Sequence, residues 1–174
     1  MITDFRGLVV VTTLAAAIAG GRTPLSAQPN SAQRNPCALV TADEVQVLVP
    51  KEHVEAGVPT SFAAFDSFSC RYTWGLGVHR STVVIAVNSA TRTFVGLNTD
   101  SIKRELVAQV VPHTADAAIP DLGDAAAFKA YSAAYASATA YARDQIVQVA
   151  FSGVDAPDVK PQLISLLKSA VSRL

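Results

Sequence analysis

The chain has 174 residues, 14 basic and 14 acidic side chains, two cysteines, and 50% hydrophobic residues. Zero net charge without a basic block argues against a nucleic-acid partner and gives no electrostatic reason to sit on an anionic membrane. The length suits one domain once a leader is removed.

Residues 1–27 read as a secretory signal peptide. Arg6 and the free amine form a weakly basic start, offset by Asp4, and Leu8 to Ala19 supplies an apolar core of 12 residues. That core is too short to span a bilayer about 30 Å thick. Cleavage fits after Ala27 or earlier, near Gly21; an uncleaved anchor is the alternative. The region has no cysteine to carry a lipid and no Arg-Arg pair. The expected product is therefore not lipidated, has no transmembrane segment, and is secreted or periplasmic. Losing residues 1–27 leaves 12 basic and 13 acidic groups, a net charge of −1 with His neutral.

Residues 28–35 are polar and aperiodic, a flexible lead-in; residues 36–174 form the single domain. Thr41 and Glu44 make a capping box, in which each side chain serves the other residue's backbone N–H. A first helix follows from about Ala42 to Leu48, and Pro50 stops it. Lys51 to Pro59 reads as loop. Phe62, Phe65 and Phe68 are spaced by three, and the segment that carries them reads as a loop whose rings cover the sheet edge.

Phe68 to Trp74 alternates apolar and polar side chains, as a half-buried strand does. Gly75-Leu76-Gly77 is its turn, and Ser81 to Val87, apolar on both faces, returns as a central strand. Ile102, Leu106 and Val110 mark a second helix from about Ser101, capped by Asp100 or Thr99 and ended by Pro112. Ile119 to Asp124 is turn chemistry. Three strands follow: Ala125 to Tyr131, Tyr135 to Ala142 and Gln145 to Ser152, the last two joined by Arg143-Asp144. In the middle one, Ala136, Ala138, Ala140 and Ala142 share a face without bulk, so a helix can approach it closely. The last helix, Pro157 to Leu174 with Asp155 as its cap, is assigned there. Hairpin-length links mean antiparallel pairing. The fold class is α+β, a single antiparallel sheet of about five strands with helices packed on it.

Cys37 and Cys70 both lie in the exported part, where an oxidising compartment favours a bridge. In the chain-entropy picture a 33-residue loop stabilises by roughly 3.7 kcal/mol. The spacing is far from a redox C-x-x-C pair, and two distant thiols are too few for a metal site. His53, His79 and His113 fall in predicted loops without metal-ligand spacing. Asp116, Asp121 and Asp124 cluster, but not at the positions of a calcium loop. No catalytic residues, metal ligands or cofactors are assigned. Tyr131, Tyr135 and Tyr141 can share one sheet face; uncovered, that face is a binding surface, and covered, an ordinary amphipathic one.

The runs Asn35-Pro36-Cys37-Ala38-Leu39-Val40-Thr41-Ala42-Asp43-Glu44-Val45, Cys70-Arg71-Tyr72-Thr73-Trp74 and Pro120-Asp121-Leu122-Gly123-Asp124-Ala125-Ala126 resemble a family of small exported bacterial proteins of unknown function. It includes the largely actinobacterial LpqN-type lipoproteins. The resemblance, over about residues 35–173, implies a PsbP-like sandwich and a Cys37–Cys70 bridge, and brings no catalytic residues. The chain departs from the lipoprotein members in lacking a lipidation cysteine. The functional expectation is a non-enzymatic binding or interaction module for a protein or a small apolar ligand. The alternative is a small hydrolase, or an apolar-ligand carrier, whose site only the fold assembles.

Overall fold

The computed structural model describes residues 35–62, 66–93, 96, 98–110, 118–132, 134–153 and 159–174. The expected leader, most of the lead-in, Phe65, Pro112, His113, Asp116, Asp155 and Pro157 lie outside these residues. In chain order the elements are α1 (Ala42–Gln46), β1 (Val58–Phe62), β2 (Ser67–Trp74), β3 (Ser81–Ser89), α2 (Ala90–Thr93), α3 (Thr99–Val110), β4 (Ala125–Ser132), β5 (Tyr135–Ala142), β6 (Gln145–Ser152) and α4 (Lys160–Ser172). The strands form one antiparallel sheet in the order β1-β2-β3-β6-β5-β4. The fold class is thus α+β, with six strands rather than about five.

The additional strand is β1, in a stretch expected to be loop. All five of its residues are exposed. With no buried face, it carries none of the alternation that announces a strand. Its register comes instead from β2, against which Val58 pairs with Arg71 and Phe62 with Ser67.

The inner face of the sheet collects Cys70, Tyr72 and Trp74 from β2, Val83, Ile85 and Val87 from β3, and Val147, Val149 and Phe151 from β6. The four alanines of β5 continue it and meet Leu163, Leu166, Leu167 and Ala170 of α4. The helix therefore lies where the alanine stripe leaves room, and each buried leucine stabilises by about 1.5–3 kcal/mol. α4 begins at Lys160, with Val159 at the cap and Pro161 in the first turn, later than the expected Pro157 start. A proline here needs no N–H partner, since the first helical turn has none to offer.

The opposite face is covered at one end by α3, which packs on β4 and β5. Ala90, Ile102, Tyr141 and Ile146 form a second small core there. The cap of α3 is Asn98, whose Oδ1 accepts from Ser101 N at 2.9 Å. Thr99 and Asp100, the expected caps, already lie inside the helix. Arg143 and Asp144 both have positive φ, 51° and 61°, as a two-residue hairpin turn of mirror-image type requires even without glycine.

The N-terminal segment crosses the inner face as a 3-10 turn, Pro36–Ala38, followed by α1. The Thr41–Glu44 capping box is present in both directions. Cys37 and Cys70 are bridged, with Cα atoms 5.1 Å apart. Beside the bridge the buried Tyr72 hydroxyl donates to Val40 O. Gln46 ties down the following loop: its Nε2 donates to Val49 O at 2.7 Å, and its Oε1 accepts from Val54 N at 3.1 Å.

Gly57 passes directly over the bridge. A Cβ there would lie 2.5 Å from Cys70 Sγ and 2.7 Å from the Tyr72 ring. Gly57→Ala is expected to destabilise by about 1–3 kcal/mol, the range of overpacked sites. Replacing both cysteines by serine should cost about 2–4 kcal/mol. Denaturant titration of the oxidised protein and the two variants checks both values.

Candidate functional site

Along β5, odd-numbered residues face away from α4, so Tyr135, Ser137, Thr139 and Tyr141 share the outer side of the strand. The structure divides the tyrosine trio. Tyr141 is 2% exposed, packed with Ile102 and Ile146, and its hydroxyl donates to Asp144 Oδ1 at 3.2 Å. Burial, with the Asp144 carboxylate beside it, raises its pKa. It is a core residue of the α3 side and is not offered to a partner.

Tyr131 and Tyr135 stay open, at 55% and 40% exposure. They come from the two strands of the β4–β5 hairpin. The pairing register shifts between Ala130 and Ser132, so Tyr131 is the extra residue of a bulge, and such a bulge re-aims the side chain it carries. Its ring centroid lies 5.0 Å from that of Tyr135, with the planes tilted by 43°. The Lys129 ammonium sits over the Tyr131 ring, 4.7 Å from its centroid. Phenol area, two hydroxyls and one cation thus meet at an exposed hairpin end. Such side chains bind by contact, hydrogen bonding and charge. Neither Lys129 nor the bulge was singled out from the sequence. A lysine two residues before Tyr131 is visible there, but nothing local announces a register shift.

A second feature is a groove of about 290 Å3 between α1 and α4, lined by Glu44, Val47, Gln162, Ser165, Leu166 and Ser169 among others. Its carboxylate is held from several directions. Arg173 donates to Glu44 Oε2 at 2.7 Å and to Oε1 at 3.0 Å, and Thr41 N donates to Oε2 at 2.9 Å. The same guanidinium reaches Leu39 O at 2.8 Å. The Arg173 bonds, chiefly, hold the Glu44 carboxyl at a pKa of about 2, below its ordinary 4.5. The groove therefore presents an apolar wall, two serine hydroxyls and a charge already neutralised.

Of the remaining candidates, those among the described residues do not converge. His53 and His79 are both exposed, and neither lines the groove. Asp124 pairs with Lys103 at 3.0 Å, while its N–H donates to Tyr141 O at 2.8 Å. Asp121 holds a left-handed turn position with φ of 58°. Among the described residues no group of three or more His, Cys, Asp or Glu side chains is placed to hold a metal. Comparison with protein-family models, with curated proteins and with solved structures finds no match to this chain.

The Glu44–Arg173 pair makes stability depend on acid. Because the folded pKa is lowered, the contribution is fully present above about pH 4.5 and is lost as pH falls towards 2. The pair is partly exposed, so solvent screening leaves about 1 kcal/mol. Glu44→Gln keeps the capping role and removes the charge. The wild type should exceed that variant in stability by this amount at pH 6, with the gap closing near pH 2, read by urea unfolding across the range.

Proposed function

We propose that the chain is an exported, non-enzymatic binding module that engages a partner protein through the β4–β5 hairpin end. The observation that carries this reading is the open Tyr131–Tyr135 pair with Lys129 over one ring. Tyrosine is favoured at binding hot spots because it offers large area at low entropic cost. The lysine directs the choice towards a partner with an acidic side chain beside an apolar contact.

Export is supported by the Cys37–Cys70 bridge, the form cysteines take in an oxidising compartment. Among the described residues no cysteine is free, and no helix is long and apolar enough to cross a membrane. The bridge and the single antiparallel sheet with helices on both faces also support kinship with the LpqN-type exported proteins and a PsbP-like sandwich. A second reading, a carrier for a small ligand, rests on the α1–α4 groove, whose volume of about 290 Å3 sits at the lower end for ligand pockets.

The test is affinity capture from the exported fraction of the source cells, with Tyr131→Ser/Tyr135→Ser as the comparison. Both positions are exposed, so the double variant should fold with stability changed by less than about 1 kcal/mol. It should retain at least about tenfold less of a partner that the wild type captures. Equal capture by both proteins removes the hairpin end as the site. A small molecule retained by both in native mass spectrometry favours the carrier.

A further inference from the structure

The two edges of the sheet are treated differently. On β4 the chain protects itself. The bulge at Tyr131 interrupts the ladder, Lys129 stands on the strand, and the preceding loop lies alongside, with Ala118 bridged to Ala127 and Ile119 N donating to Ala126 O at 2.9 Å. Bulges, lysines and covering loops are the usual guards of a sheet edge. At the other end, β1 has β2 on one side and, among the described residues, no strand on the other. All its residues are exposed, including Val58 at 60% and Phe62 at 59%. Among the described residues its guards are Pro59 and its short length.

From this we propose that β1 pairs with β1 of a second copy, antiparallel about a two-fold axis at Thr60, joining two sheets edge to edge. The sequence Val58-Pro59-Thr60-Ser61-Phe62 is self-complementary in that register. Val58 stands opposite Phe62 of the second copy, Thr60 opposite Thr60, and Phe62 opposite Val58, all on one face. The strand carries no ionisable side chain, so no charge opposes itself across the axis, whereas a β4 pairing would bring in Lys129. A proline within a ladder directs its nitrogen away from the neighbouring strand. Ser61, two residues on, therefore also points its backbone outward. Ser61 N–H donates to Pro59 C=O of the other copy, twice by symmetry. The Val–Phe and Thr–Thr pairs then fall at the non-hydrogen-bonded positions, where side chains approach most closely.

A five-residue edge buries less than the roughly 1,200 Å2 of a standard interface, which puts the dimer in the transient class. Sedimentation of the bridged protein from about 10 μM to about 1 mM should show dimer rising with concentration. Val58→Lys/Phe62→Lys places like charges opposite each other and should weaken association at least about tenfold, with the circular dichroism spectrum and Tm retained. A second variant reads the register directly. Thr60→Cys should yield a disulfide-linked dimer on mild oxidation, faster than Ser61→Cys, whose side chain lies on the other face. The proposal is overturned by a wild type that stays monomeric throughout, by a dimer that ignores the lysines, or by faster linkage through position 61.

Discussion

Over β2 and β3 the inner face is covered by the N-terminal segment, and the Cys37–Cys70 bridge ties that segment to the sheet. The segment is short and mostly irregular, so it cannot stay in place through helix propensity. α1 has five residues, well below the length at which an isolated helix persists in water. The covalent link removes the entropy of finding β2, and the Tyr72 hydroxyl then closes on Val40 O. Leu39, Val40 and Val45 of this segment are fully buried. Gly57 completes the arrangement from the other side, since β1 can run past the sulfurs only where no side chain intervenes.

The hairpins, the capping box and the alanine stripe were legible in the sequence because each is a local pattern with a local cause. Alternation in β2, β5 and β6 follows from one face meeting the core, and the missing bulk at Ala136 to Ala142 told where a helix must come. β1 was illegible for the complementary reason. A strand exposed on both faces has no apolar period, and it contains a proline. Its existence is decided by the free edge of β2, a non-local fact. The start of α4 was misplaced for a similar reason: Pro157 and Pro161 are equally acceptable first-turn residues, and only the observed helix distinguishes them.

The binding region shows the same division. Periodicity correctly grouped Tyr135 and Tyr141 on one side of β5, but periodicity assigns a face and not its cover. α3 and Ile102 bury one end of that face, leaving Tyr141 in a core and Tyr135 at the surface. The second open ring arrives through a bulge on the neighbouring strand. The groove beside α4 is further still from sequence inspection, since it exists between residues 44–47 and 161–169.

Arg173 links the far end of the domain to its beginning, donating to Leu39 O and Glu44 across more than 120 positions of sequence. Its helix also covers the centre of the sheet. The order in which a ribosome delivers the chain is therefore the reverse of what closure needs. Without α4 the alanine stripe of β5 would lie bare, and Glu44 would lose its guanidinium partner while the bridge still tied the segment to β2.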